Sequence, residues 1–298
     1  MDRLKPFFYF EPLTISEAIE ILAEQANGAY SLAGGTDLLV RMKKGEITPS
    51  ALVNLKRISG LNRIDRAPGK GIDIGALAPI SAVEHSPVLS SSHPVMVQAA
   101  SHLGSPSIRN MATVGGNVGR ASPASDMIPP LIVLCARVAI NGPLGSRELK
   151  IGDLFSGPGT TTLSSGEIIT SFFLPEMSPH SGAVYIKLCR RAGFDIALVG
   201  VGALLALGER KAEAKDARVA LAAVAPVPLR AKKAEEVLLS GSLTEERLKE
   251  AARAAAEGSL AITDMRASCS YRKEMVRVLT LRALKKALHL AQGGKTAH

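Results

Sequence analysis

The sequence predicts an α+β protein built in more than one part. Two patterns point there: the first 57 residues alternate short apolar strands with helical stretches, and from residue 183 three strands run consecutively before three helices. The third observation is size and composition. At 298 residues, with 46% hydrophobic and 21% charged side chains, the chain has material for about two domains with ordinary globular cores. Disordered and collagen-like classes are excluded. The longest uncharged apolar run, 196–208, is too short to span a bilayer and holds three glycines. The opening Met-Asp-Arg-Leu-Lys-Pro has no apolar core of a leader, so a cytoplasmic location is the expectation.

In order, residues 7–10 read as an aromatic strand. Thr14 caps a helix and Glu17, three residues on, completes a capping box; Ile15, Ile19, Leu22 and Ala23 form its apolar face. Asn27-Gly28 reads as a turn, 30–33 as a strand running into Gly34-Gly35, 37–44 as a short helix and 52–55 as a buried strand. A second segment begins near Leu61. It holds an alternating strand at 72–75, helices at 81–85 and 94–103, and a helix from about Asp126 carrying Ile128, Leu131 and Leu134. Strands follow at 137–140 and 168–174. The third segment has strands at 183–188, 197–207 and 218–225, then helices at 231–239, 245–257 and 271–290, and a fraying tail from Gly293. This order predicts a small antiparallel sheet under helices. There is no internal repeat.

The formal charge is +9, and residues 209–298 carry 18 Lys/Arg against 11 Asp/Glu, an excess of +7. The basic residues alternate with Glu on helical patterns, aromatics are 4% and Trp is absent, so stacking platforms for nucleic acid are scarce. A solvated helix face, or a docking face for an acidic partner protein, is the better reading. Cys135, Cys189 and Cys269 are far apart and in no C-x-x-C pair, which argues against a disulfide framework, a metal site or an iron–sulfur cluster held by this chain alone. Cys135 and Cys269 read as small buried hydrophobes. Cys189, beside Lys187, Arg190 and Arg191, is the one with a second reading, as a thiol of lowered pKa.

Two glycine pairs carry the chemical argument. Ala33-Gly34-Gly35-Thr36-Asp37 follows a strand and opens a helix; Thr113-Val114-Gly115-Gly116-Asn117 lies in the second segment. Paired glycines allow positive φ and close approach of the backbone to a ligand, and the following amides, aided by a helix start, can meet phosphate oxygens. Thr36, Thr113 and Asn117 add hydroxyl and amide groups. Two tight turns would account for the same residues, and the pattern alone does not choose between these readings. Rival signatures fail: there is no P-loop run, and Gly200-Val201-Gly202 has Leu205 where a dinucleotide fingerprint needs a third glycine. Those two glycines read as a strand bulge or close packing. No nucleophile elbow and no H-E-x-x-H set occurs.

Taken with further motifs, the two loops resemble the FAD-binding middle subunit of the molybdenum hydroxylases, the family of aerobic carbon monoxide dehydrogenase and xanthine dehydrogenase. The motifs, in order, are 33–38, Leu52-Val53-Asn54-Leu55-Lys56-Arg57-Ile58, Ile74-Gly75-Ala76, Gly104-Ser105-Pro106 with Ile108-Arg109-Asn110, 113–117, 121–126, Glu167-Ile168-Ile169 and Tyr185-Ile186-Lys187-Leu188. The resemblance covers nearly the whole chain. It implies a p-cresol methylhydroxylase-type FAD-binding domain at 1–176, made of α/β subdomains 1–57 and 58–176, and a C-terminal α/β domain at 177–298 with a three-stranded antiparallel sheet and helices. By the same resemblance, Ala33, Gly34, Gly35, Thr36, Asp37 and Leu38 form one diphosphate loop, and Thr113, Gly115, Gly116 and Asn117 the other. Gly104 lines the FAD cleft through its backbone, Asp126 accepts hydrogen bonds from hydroxyls of the FAD, Ile169 packs near its rings and Lys187 sits near the flavin. Without the family, Asp126 reads as a helix N-cap and Lys187 as a strand-surface lysine.

Many of the homologues carry His or Asn and Ser where this chain has Thr36 and Asp37, so a covalent flavin through a loop histidine is not expected, and FAD is expected to be non-covalent. The stretch 190–195 varies in the family, which leaves Arg191 and Asp195 without an assigned role. The implied partners are a small subunit with two [2Fe–2S] clusters and a large molybdopterin subunit, in a dimer of heterotrimers, with electrons leaving FAD for an external acceptor. The resemblance implies no catalytic acid or base and no metal on this chain. Two other functions are weighed against it: a self-sufficient FAD-dependent oxidoreductase with its own small substrate, and a basic binding protein whose glycine pairs are only turns.

Overall fold

The computed structural model describes residues 4–25, 28–67, 71–191, 195–209 and 212–294. Asn27 of the expected turn, residues 192–194 of the family-variable stretch and the tail beyond Gly294 lie outside them.

The N-terminal part holds β1 (Phe8–Phe10), α1 (Ile15–Glu24), β2 (Ala29–Leu32), α2 (Leu38–Lys43) and β3 (Ala51–Asn54). Its three strands pair in parallel in the order β1-β3-β2. β3 is central and buried at every position, as its uninterrupted Ala-Leu-Val-Asn requires. Thr14 caps α1 by accepting from the Glu17 amide at 3.2 Å, but the Glu17 carboxylate reaches the amide of Leu13, at 2.8 Å, so the expected capping box closes one residue early. The buried stripe of α1 centres on Ala18 and Leu22, with Ile15 and Ile19 half-buried beside it.

The middle part comprises β4 (Ile64–Ala67), β5 (Gly71–Gly75), α3 (Ile80–Glu84), α4 (Pro87–Ser92), α5 (Pro94–Ser101), α6 (Pro106–Met111), α7 (Val114–Gly119), α8 (Ile128–Val133), β6 (Arg137–Gly142), β7 (Gly145–Lys150), β8 (Phe155–Gly157), β9 (Thr160–Thr161) and β10 (Ile168–Pro175). Five of these strands form an antiparallel sheet in the order β4-β5-β10-β6-β7, and β8 pairs with β9 alone. The residues 113–117, read as a loop, are the capped start of α7: Thr113 Oγ1 accepts from the Gly116 amide at 3.0 Å.

The C-terminal part comprises β11 (Ser181–Leu188), β12 (Val199–Leu207), β13 (Ala214–Ala222), β14 (Leu229–Arg230), α9 (Lys232–Leu239), α10 (Glu245–Glu257) and α11 (Cys269–Ala291). The three expected antiparallel strands are present, and β14 adds a two-residue edge to them. β12 is buried along all nine residues because both faces are covered. On one side Gly202 lies against the Pro129 backbone of α8; on the other, α11 carries buried Ala283, Leu284 and Ala287. Gly200 and Gly202 therefore serve close packing, and the register shift of this strand falls at Ala206/Leu207 instead. Tyr185, Leu204 and Ala220 of this sheet join the same core as α5 and α8 of the middle part. Cys135 and Cys269, expected to be buried, are only half-buried; Cys135 sits in a left-handed turn at φ +53°. Among the described residues no helix is long and apolar enough to cross a membrane.

Candidate functional site

A cleft of about 820 Å³ opens between the β2–α2 loop and the helices α6 and α7, and is flanked by residues of the β8–β9 hairpin and the start of β10. Of the fourteen residues singled out from the sequence, thirteen line it; Lys187 does not. The cleft is large enough for a dinucleotide-sized ligand.

The first loop, 33–38, is shaped by two glycines with different tasks. Gly35 takes φ +72°, which a side chain disfavours. A Cβ at Gly34 would strike the carbonyl oxygen of Met111 at the end of α6, so this glycine lets the first loop lie against the second. The backbone amides of 34–38 have no acceptor among the described residues. Five successive free N–H groups around a left-handed residue form a concavity suited to an anion.

The second loop is built differently. Val114 N donates to Ala78 O at 3.1 Å and Gly115 N to Ala76 O at 2.7 Å, pinning it to the segment after β5. Gly116 N is taken by Thr113. Neither Gly115 nor Gly116 has positive φ. The sequence reading of two equivalent amide loops is thus corrected, because the amides of the second are spent on the fold. What it offers the cleft is a bare wall and side chains. A Cβ at Gly115 would meet Ala76, whereas one at exposed Gly116 would meet only Thr113 Oγ1, at 2.9 Å, among atoms closer than 3.4 Å. Asn117 Oδ1 is buried and has no hydrogen-bond partner. A buried acceptor left unpaired costs roughly 1–3 kcal/mol, so it calls for a donor from outside the chain.

Gly104 stands at φ +53° with its carbonyl held by Arg109, whose Nε is fixed by Glu84 at 2.6 Å. Ile169 is buried in the opposite wall, its Cδ1 facing Gly119.

Asp126 does not cap α8; Met127 occupies that position. Its carboxylate accepts from Tyr185 OH at 2.7 Å and from Lys187 Nζ at 2.8 Å, and Lys187 also donates to His102 O at 3.0 Å. The Lys187 side chain is 4% exposed, so it is neither a strand-surface lysine nor part of the cleft wall, but sits behind Asp126. Burial pushes the Asp126 carboxyl above its ordinary range, against the opposing pull of Lys187 and Tyr185. Burial likewise raises the Tyr185 phenol far up, which keeps it protonated and a donor. Each carboxylate oxygen, with one partner, retains acceptor capacity.

Several cleft residues were missed from the sequence, among them Arg41, Arg120, Gly159 and Glu167. Tyr185 had a signal: two residues before Lys187 on one strand, it must share that residue's face. Arg120 had a similar one, three residues after Asn117 in the same helical turn. Arg191 and Asp195 also line the cleft, and Cys189 donates its thiol to Arg191 O at 2.9 Å.

Comparison with known proteins agrees with this geometry. Residues 5–177 match the family "FAD binding domain in molybdopterin dehydrogenase" and residues 184–287 the family "CO dehydrogenase flavoprotein C-terminal domain". The glyceraldehyde dehydrogenase medium chain of Sulfolobus acidocaldarius is 33% identical over 94% of this chain and 97% of its own. The carbon monoxide dehydrogenase medium chain of Hydrogenophaga pseudoflava is 31% identical over 94% of this chain and 96% of its own. A solved carbon monoxide dehydrogenase of that organism, lacking the Mo-pyranopterin moiety of its molybdenum cofactor, superposes with a TM-score of 0.92 at 29% identity, covering 96% of this chain and 98% of that one. The residues present fit FAD: the free amides of 34–38 suit a diphosphate, and the unpaired Asn117 Oδ1 suits a hydroxyl or amide donor.

Proposed function

We propose that this chain, which belongs to the FAD-binding flavoprotein family of the molybdopterin dehydrogenases, is the electron-transferring medium subunit of a molybdenum-containing hydroxylase or dehydrogenase. It is an oxidoreductase subunit and its cofactor is FAD. FAD, when bound, would supply the redox chemistry by which this subunit links an iron–sulfur partner to an external acceptor. The observation that carries the reading is the row of unspent amides at 34–38 facing a cleft of FAD size.

The chain's own residues bind and orient. The amides of Gly34, Gly35, Thr36, Asp37 and Leu38 hold the diphosphate, with Thr113, Gly115, Gly116 and Asn117 as the opposing wall. Asp126, fixed by Tyr185 and Lys187, accepts hydroxyls. Lys187 holds positive charge one layer behind the wall, Gly104 contributes its backbone, and Ile169 closes an apolar side. Binding is non-covalent, in keeping with a described cleft lining that holds no histidine or cysteine. Residues 1–176 act as the FAD-binding domain, with subdomains 1–57 and 58–176, and 177–298 as the flavoprotein C-terminal domain. The partners are a small subunit with two [2Fe–2S] clusters and a large molybdopterin subunit, assembled as a dimer of heterotrimers in the cytoplasm. The relatives are named for reactions as unlike as glyceraldehyde and carbon monoxide oxidation, so substrate choice belongs to a partner chain.

The test is a visible absorption spectrum of the purified chain with and without FAD, followed by addition of substrates and of the partner subunits. Flavin uptake, with bleaching only when partners are present, supports the reading. Bleaching by substrate with the isolated chain would establish a self-sufficient oxidoreductase instead; no uptake by the folded chain alone would mean that partners complete the site, and none with the partners present would refute this reading of the loops.

A further inference from the structure

The diphosphate loop contains a carboxylate. Asp37 follows the two glycines, lines the cleft, and makes no capping hydrogen bond to α2, although it stands at that helix's N-cap. Its side chain is half exposed. An unneutralised aspartate beside five amides meant for an anion would repel that anion, since like charges a few ångströms apart cost more in a partly water-excluded cleft than in bulk water.

One cation answers it. Arg120, at the C-terminal end of α7, places Nε 2.8 Å from Asp37 Oδ2. That Nε is buried and the approach has no hydrogen-bond geometry, so the contact is Coulombic and the guanidinium keeps N–H groups to give. The hairpin leaves room for it on the other side. Gly159, in the β8–β9 hairpin at φ +73°, would bring a Cβ within 2.9 Å of Arg120 Nη1. Arg120 thus spans the cleft from the second loop to the first, under the hairpin. Of the other arginines in the lining, Arg41 is drawn toward Glu46 at 3.5 Å and Arg191 toward Asp195 at 3.5 Å, and the lining carboxylate Glu167 is held by Arg147 at 2.6 Å.

We propose that Arg120 is a cofactor-binding residue that neutralises Asp37 and presents a cationic neighbour to the diphosphate of FAD. The proposal rests on the reading of this cleft as the FAD site. Arg120 and Asp37 act as one unit: the arginine is required because the aspartate is there.

The test is a double-mutant cycle on the full chain, with FAD affinity read by flavin fluorescence titration at low and high salt, and riboflavin, which lacks the diphosphate, as the control ligand. Arg120→Gln is expected to weaken FAD binding by about tenfold at low salt, the scale of one charge-assisted contact. The loss shrinks at high salt as the field of Asp37 is screened. Asp37→Asn, which keeps the loop amide and removes the charge, tightens binding, and in the Arg120→Gln background it restores most of the loss. Riboflavin affinity is the same in all variants. Arg120→Lys, which keeps charge and aliphatic stem, retains most of the wild-type affinity and guards against a folding artefact. Wild-type FAD affinity in Arg120→Gln, or equal weakness of Arg120→Gln with and without Asp37→Asn, overturns the proposal. A wild-type chain that takes up FAD neither alone nor with its partner subunits overturns the reading of this cleft as the FAD site.

Discussion

Lys187 and Asp126 show how a residue two layers deep can govern a cleft it does not all touch. The pair is buried, at 4% and 9% side-chain exposure, and Tyr185 completes it. Removing one member of a buried ion pair strands the other without compensation, so Lys187→Met is expected to cost about 3 kcal/mol, and the Asp126→Asn/Lys187→Met double variant to recover most of it, in chemical denaturation. The pH dependence has a definite sign. Burial lifts the Asp126 pKa above its unfolded value, so the stability it contributes is present in acid and is lost as pH rises through the raised pKa. Lys187 opposes that lift. In Lys187→Met the pKa climbs further, and the decline of Tm with rising pH should extend to higher pH than in the wild type. Equal pH profiles for the two proteins would remove Lys187 from the account.

At the scale of elements, the two glycine loops are set together by contacts that differ in kind, and alanine separates them. Gly34→Ala and Gly115→Ala would press a methyl into backbone, that of Met111 and Ala76, and should each cost about 1–3 kcal/mol as well as the flavin. Gly116→Ala displaces the Thr113 hydroxyl that caps α7, at a cost of about 1 kcal/mol, and lies in a helix, where alanine is favoured over glycine by about 0.5–1 kcal/mol. It should keep Tm within a few degrees and still bind FAD poorly, because its methyl stands in the cleft; unchanged flavin content in Gly116→Ala would mean the wall is not where the cofactor lies. These elements also mark what the sequence makes legible. α10 (Glu245–Glu257) was read to the residue because Thr244 caps it, accepting from the Arg247 amide at 3.3 Å, and its apolar positions repeat helically. α7 was not, because Val-Gly-Gly-Asn-Val-Gly has poor helix propensity and is held by Thr113 and by backbone bonds to Ala76 and Ala78, far away in sequence. β7 was missed because nearly all its side chains face solvent, which leaves no alternation to read. The glycine loops themselves were legible as a site, but not the division of labour between free and spent amides, since that depends on which carbonyls the fold brings near.

For the whole molecule, the sheet of the C-terminal part is shared property. Its β11 sends Tyr185 and Lys187 to the back of Asp126, Tyr185 N donates to Gln98 Oε1 at 2.9 Å, and Ala223 N donates to Pro123 O at 2.7 Å just before the Asp126 segment. The face of that sheet toward α5 and α8 is apolar and continuous with the core of the middle part. A chain ending at residue 176 would expose α8 along its length and lose the two groups that fix Asp126. Residues 1–176 expressed alone should therefore fail to hold FAD and aggregate, whereas the full chain should unfold in one calorimetric transition. Because FAD would bind the folded state only, a hundredfold excess over its Kd adds about 2.7 kcal/mol. In a chain of this length that raises Tm by several degrees, and it should raise it without splitting the transition. Two transitions, with only the first moved by FAD, would show that the halves fold independently and that the hold of β11 on Asp126 is not needed to bind the cofactor.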